Sequence, residues 1–241
     1  MSTRVAGSEA PPWKQRFRAP LILSAQLATA RPTRGLVVTN QQSPVFQLYA
    51  WDVASGGLRQ CTTRPHGVFE GWIAPDGQHI YYLDDHAGNE LGHVVRVPFE
   101  GGPAADMTPD LPPYTLRGVG WSRDGSRMAF NPINVDGFQL RVITLHADGT
   151  CGPPDLIHQS DHEAWGALLS YDGSIATMYS TARAGGQRRY SLLAFDTGSA
   201  EQIGEIWDGP EASVEAELFS PVAGDERVLA FTGSVATEWA L

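Results

Sequence analysis

Lysine is almost missing from this chain: Lys14 is the only one, and arginine carries the rest of the basic charge. A phosphate-binding loop built on a lysine, or a lysine Schiff base, has no candidate within the folded body. Cysteine is nearly as scarce. Cys61 and Cys151 stand 90 positions apart in no metal-ligand spacing, and they read as small apolar side chains of a cytoplasmic protein, not as a disulfide. Long apolar runs are missing as well. No stretch approaches the roughly 18 residues that a membrane-spanning helix needs, and residues 1–20 hold no signal-peptide core. Positive charge is in deficit, with a formal net charge of -10 and a pI of about 5.1. Neither nucleic acid nor membrane is therefore an expected partner.

Turn-forming residues, by contrast, are plentiful. The 26 glycines and 17 prolines compare with about 17 and about 12 in an ordinary chain of this length. Many short elements joined by tight turns are expected, not long helices.

A repeat organises the chain. Gly71-Trp72-Ile73-Ala74-Pro75-Asp76-Gly77, Gly120-Trp121-Ser122-Arg123-Asp124-Gly125 and Ala167-Leu168-Leu169-Ser170-Tyr171-Asp172-Gly173 share one pattern, with their Asp-Gly pairs 48 residues apart both times. Each pair precedes an apolar run: 79–83, 127–130 and 174–179. A degenerate fourth copy spans Glu217 to Pro221, then Gly224-Asp225 and 228–231. An apolar strand, an Asp-Gly turn whose glycine takes positive φ, and an apolar return strand make an antiparallel hairpin. In the first full copy, a polar turn over 84–92, a third strand over 93–99, the turn Glu100-Gly101-Gly102 and an edge strand near 104–108 complete four strands. Four antiparallel strands in about 48 residues is one β-propeller blade.

The expected fold is all-β: a 1–20 tail followed by an incomplete propeller over 21–241. Its blades fall at about 21–63, 67–110, 115–160 and 163–208, with a partial one at 213–241. The run 21–28 fits either an opening strand or a short helix. Some four and a half blades cannot close a ring, so an open arc and a truncated product are expected. Glu238 to Leu241 reads as the opening of a further strand.

Three segments carry a family resemblance: Pro12-Trp13-Lys14-Gln15-Arg16-Phe17-Arg18-Ala19-Pro20; Phe46 to Asp52 with Gly56 to Thr62; and Tyr82 to Gly92 leading into Val97-Pro98-Phe99-Glu100-Gly101-Gly102. Together they resemble the amino-terminal propeller of prolyl oligopeptidase family serine peptidases, especially the acylaminoacyl-peptidase-like branch. The Trp…Asp-Gly hairpin alone is shared with the Tol-system periplasmic propeller. The resemblance implies a propeller that caps an α/β-hydrolase domain and admits only short peptides. The hydrolase domain, with its Ser, Asp and His, is absent here, so no catalytic residue carries over.

The residues themselves agree. No Gly-x-Ser-x-Gly nucleophile elbow exists; Gly120-Trp121-Ser122-Arg123-Asp124 has aspartate where the second glycine belongs. The acidic run Asp84-Asp85-His86-Ala87-Gly88-Asn89-Glu90 reads as a capped hairpin turn, not a cation site. His158 and His162 with Glu163 have zinc-like spacing only if helical, and they sit in a connection. Arg183, Arg188 and Arg189 surround the turn Ala184-Gly185-Gly186; a solvated hairpin is the default and a carboxylate-binding patch the alternative. Trp72, Trp121 and Trp165 are read as equivalent core positions between blades. No catalytic, metal or cofactor residue is assigned, and substrate-binding residues stay open. Two functions compete: a substrate-gating peptidase propeller without its hydrolase, and a free-standing binding or scaffold propeller.

Overall fold

The computed structural model describes residues 19–234, and every expected blade appears in it as an antiparallel sheet. The first sheet holds β1 (Ile22–Leu27), β2 (Arg34–Thr39), β3 (Gln47–Asp52) and β4 (Gly57–Gln60), so the run left open in the sequence is a strand and this blade has all four strands. The second contains β5 (Trp72–Ile73), β6 (His79–Asp85), β7 (Gly92–Pro98) and β8 (Ala105–Asp106). The third contains β9 (Thr115–Trp121), β10 (Arg127–Asn134), β11 (Gly137–Thr144) and β12 (Asp155–Ser160). The fourth contains β13 (Ala164–Leu169), β14 (Ile175–Ser180), β15 (Ser191–Asp196) and β16 (Gln202–Ile206). The last pairs β17 (Ala212–Phe219) with β18 (Val228–Ser234). The opening segment 12–18 and the strand expected at 238–241 lie outside the described residues.

The Asp-Gly turns share one backbone, and two of the three share a serine–aspartate cap, whereas Asp76 accepts only the Gln78 amide among the described residues. Gly77, Gly125 and Gly173 have φ of 67°, 77° and 73°, a region in which only glycine is unstrained. Asp124 Oδ1 accepts from the Ser126 amide (2.9 Å), the Ser126 hydroxyl (2.8 Å) and the Ser122 hydroxyl (2.7 Å). Asp172 repeats this with Ser174 and Ser170. The degenerate copy keeps the logic, since the Ser220 hydroxyl donates to Asp225. Such local side-chain bonds substitute for a longer ladder at the end of a short strand.

The core lies between the blades. Leu36, Leu48, Ile80 and Val97 join the first and second. Tyr81, Tyr114, Met128, Phe130 and Ile143 join the second and third. Ala129, Leu140, Met178 and Phe195 join the third and fourth, and Tyr179, Leu192 and Val214 the fourth and fifth. Along β10, Met128 and Phe130 therefore face one neighbour while Ala129 faces the other. Both faces of a middle strand are buried, which is why these strands read as unbroken apolar runs.

The tryptophans are not equivalent positions. The amides of Ala74, Ser122 and Ser170 donate to His79, Arg127 and Ile175 at the same point of the turn. That register sets Trp121 level with Ile73 and Leu169, and Trp72 level with Gly120. Trp121 and Trp165 pack into the inter-blade clusters, whereas Trp72 is half-buried outside them. The glycine at 120 cannot be replaced by a larger residue there, because its Cβ would lie 1.9 Å from the Ala167 carbonyl oxygen of the next blade.

Candidate functional site

The innermost strands β1, β5, β9, β13 and β17 end on a common axis. Thr29, Ile73, Trp121, Leu169 and Phe219, one from each blade, line a single cavity of about 280 Å³ there, closed by Pro75 and Pro221 and with Arg123 beside them. Its wall is mostly apolar. No hydrogen-bonded ladder joins the first sheet to the last among the described residues.

The opposite end of the blades carries the strand 2–3 hairpins and the acidic turn. There Asp84 pairs with Arg64, Asp85 Oδ2 accepts the Glu90 amide (2.8 Å) and Asn89 Oδ1 the Leu91 amide (3.1 Å). Ala87 and Glu90 both sit at φ 60° and Gly88 at φ 80°. Asp85 and Asn89 thus cap amides of the hairpin, as the sequence suggests, while Asp84 is held by Arg64. Burial raises the Asp84 pKa, with Arg64 pulling the other way.

Beside this turn lies a pair that sequence reasoning missed. His93 on β7 and Asp106 on β8 meet at 2.8 Å through Nδ1 and Oδ2, the imidazole stacks on Tyr114 with ring centroids 5.9 Å apart, and Nε2 is buried without a partner. His93, Asp106, Asp84, Arg64 and His86 line a cavity of about 520 Å³. The arrangement has the form of an oriented base, but no Ser, Thr, Cys or Lys lines that cavity. It can hold and orient a polar group.

The remaining sequence candidates lie outside this cavity. Ser122 is fully buried in its turn. His158 on β12 stacks on Phe195 of the next blade at 4.7 Å, where burial lowers its pKa. His162 lies against Gly186. No group of three metal-ligating side chains forms among the described residues. Arg183 pairs with Glu205 and Arg188 with Glu163, so the arginine turn is an ion-paired hairpin around the one-turn 3-10 helix Ala182–Ala184. Cys61 and Cys151 are free, and burial raises both thiols, which leaves them poor nucleophiles.

The sequence matches no protein-family model and no curated protein. Solved structures do match in shape. A TolB-like protein of Agrobacterium tumefaciens superposes with a TM-score of 0.54 at 16% identity, over 89% of this chain and 77% of that one. A prolyl endopeptidase gives 0.64 at 13% identity, over 87% of this chain and 32% of that one. A puromycin-hydrolysing peptidase of Mycobacterium tuberculosis gives 0.60 at 15% identity, over 90% and 35%. The chain thus spans about a third of the length of these two peptidases. At such identities the likeness is one of fold: a β-propeller of four-stranded antiparallel blades, of the kind found in peptidase-associated and TolB-like propellers.

Proposed function

We propose that this chain is the non-catalytic, substrate-gating propeller of a prolyl-oligopeptidase-type serine peptidase of the acylaminoacyl-peptidase-like branch, acting in the cytoplasm. The observation that carries the reading is the axial cavity of about 280 Å³, lined by residues of all five blades and mainly apolar. A cavity of that size has room for part of a short peptide and none for a folded chain. The opening segment and the Tyr82 to Gly92 turn favour the same family, and so does the shape match to two peptidases. Short peptides are then the substrate class and an α/β-hydrolase domain the partner. That domain supplies the nucleophile, since no Gly-x-Ser-x-Gly segment exists in this sequence.

Two measurements test this. The purified chain mixed with peptide and acyl-peptide substrates turns none of them over, and robust hydrolysis would end the proposal. Reading the coding sequence downstream of Leu241 is expected to reveal a Gly-x-Ser-x-Gly segment, in frame or frameshifted.

A second reading, a free-standing binding or scaffold propeller similar to the Tol-system one, draws on the TolB-like match, which extends over most of that protein's length. It requires a ring in which 238–241 pairs with the strand at 22–27. Exchange of those amides of 22–27 that do not donate to β2 separates the two, with strong protection favouring the scaffold.

A further inference from the structure

The first and third seams between blades share one device, which the second and fourth lack; the fourth has Ile175 at the matching position and, among the described residues, nothing within 4 Å of a Cβ placed on Gly224. In the first seam, Arg34, the first residue of β2, reaches across to the turn of the second blade. It donates to the Gly77 carbonyl (3.0 Å), pairs with Glu100 and lies 4.4 Å over the Phe99 ring. In the third seam, Arg127, the first residue of β10, donates to the Gly173 carbonyl (3.2 Å) and to the Thr197 hydroxyl. A Cβ placed on Gly77 would come 3.0 Å from Arg34 Cδ, and one on Gly173 would come 2.8 Å from Arg127 Cδ. Both glycines are therefore covered by an arginine stem.

In the second seam the matching residue is His79, the first residue of β6. The equivalence is fixed by the backbone: the amides of Phe99, Leu145 and Thr197 donate to the carbonyls of Gln78, Ser126 and Ser174, respectively. His79 turns instead toward Tyr81, with ring centroids 6.4 Å apart. Nothing lies within 4 Å of a Cβ placed on Gly125, and no hydrogen bond reaches the Gly125 carbonyl among the described residues. The space is a cavity of about 390 Å³ lined by His79, Arg96, Asp76, Asp124, Gly125 and Leu145. That volume lies within the range of small-ligand sites.

We propose that this seam is a binding site for an alkylguanidinium group, an arginine side chain or its small-molecule equivalent, which enters the place that Arg34 and Arg127 fill in the neighbouring seams. The guanidinium donates to the Gly125 carbonyl, its alkyl stem covers Gly125 and Leu145, and the Asp76 and Asp124 carboxylates flank it. Arg96 is no obstacle. Its Nη2 is committed to the Gly149 carbonyl at 2.6 Å, and the first seam already holds two arginines, since Arg59 donates to the Pro98 and Phe99 carbonyls beside Arg34. A planar fork of donors matches a carbonyl flanked by carboxylates better than a point-charge ammonium does. The site is separate from the axial cavity and does not depend on the peptidase reading.

Calorimetric titration of the intact chain with N-acetylarginine amide tests the site. Saturable binding is expected, and n-butylamine and inorganic phosphate should bind at least about tenfold more weakly, a difference of about 1.4 kcal/mol. His79→Arg supplies the cation covalently, so it should abolish that binding and raise the melting temperature; His79→Ala should keep the binding. As a readout independent of any variant, N-acetylarginine amide should protect His79 of the unmodified chain from diethylpyrocarbonate. No saturable binding, equal binding by His79→Arg, a preference for phosphate, or unprotected His79 would each overturn the proposal.

Discussion

At Gly120 the innermost strand of the third blade runs so close to the fourth that a methyl group has no room: its carbon would sit 1.9 Å from the Ala167 oxygen. Gly120→Ala should therefore cost at least about 2 kcal/mol, read as a lower urea midpoint with an unchanged slope. Two tyrosines set the alkaline limit. Burial pushes both Tyr81 and Tyr114 up to about 12, whereas an unfolded tyrosine titrates near pH 10. The folded state holds these protons more tightly, so the stabilisation is complete below about pH 10 and is lost as pH rises toward about 12. Phenolate absorbance and loss of near-ultraviolet dichroism should rise together across that window. Phenolate formation well below it in a still-folded chain would contradict the burial argument.

Elements are held by single polar anchors where strands are too short to hold themselves. β8 has only two residues, and the Tyr114 hydroxyl ties it in by accepting from the Val94 amide at 2.7 Å and meeting the Thr108 hydroxyl at 2.8 Å. Tyr114→Phe leaves that buried amide unpaired and should cost about 1–3 kcal/mol, with faster amide exchange at Val94 than elsewhere in the second blade. Between elements, Arg127→Met keeps the stem against Gly173 but removes the bonds to Gly173 and Thr197. A loss of about 1–2 kcal/mol is expected, seen as a lower thermal midpoint.

At the scale of the molecule, the arc has two uncovered faces. Leu21, Ile22, Leu23 and Leu27 are 47–68% exposed on the first blade, as are Leu218, Val222 and Leu229, at 49–60%, on the last. The middle blades bury most of their apolar side chains between neighbours, and exposed ones such as Leu156, Ile203 and Ile206 lie on outer strands. Exposed apolar faces and unpaired edges drive association. Light scattering should show mass rising with concentration, and Ile22→Lys combined with Leu229→Lys should reduce it; a wild-type monomer at every concentration would refute this.

The sequence by itself determined the blades, because spacing is a local property: the Asp-Gly turns, their serine partners and the alternation of buried side chains all lie within about 48 residues of chain. It also showed that no Gly-x-Ser-x-Gly elbow is present. It could not tell strand from helix at 22–27, since a short apolar run looks the same either way until a partner strand pairs with it. Nor could it align the tryptophans, because one extra residue before Asp76 shifts the register without shifting the turn. The His93–Asp106 pair and the empty place at Gly125 were decided only by tertiary structure. Each depends on which side chains different strands or blades bring together, and a deficit such as His79 standing where an arginine stands elsewhere becomes a cavity only once two blades are pressed side by side.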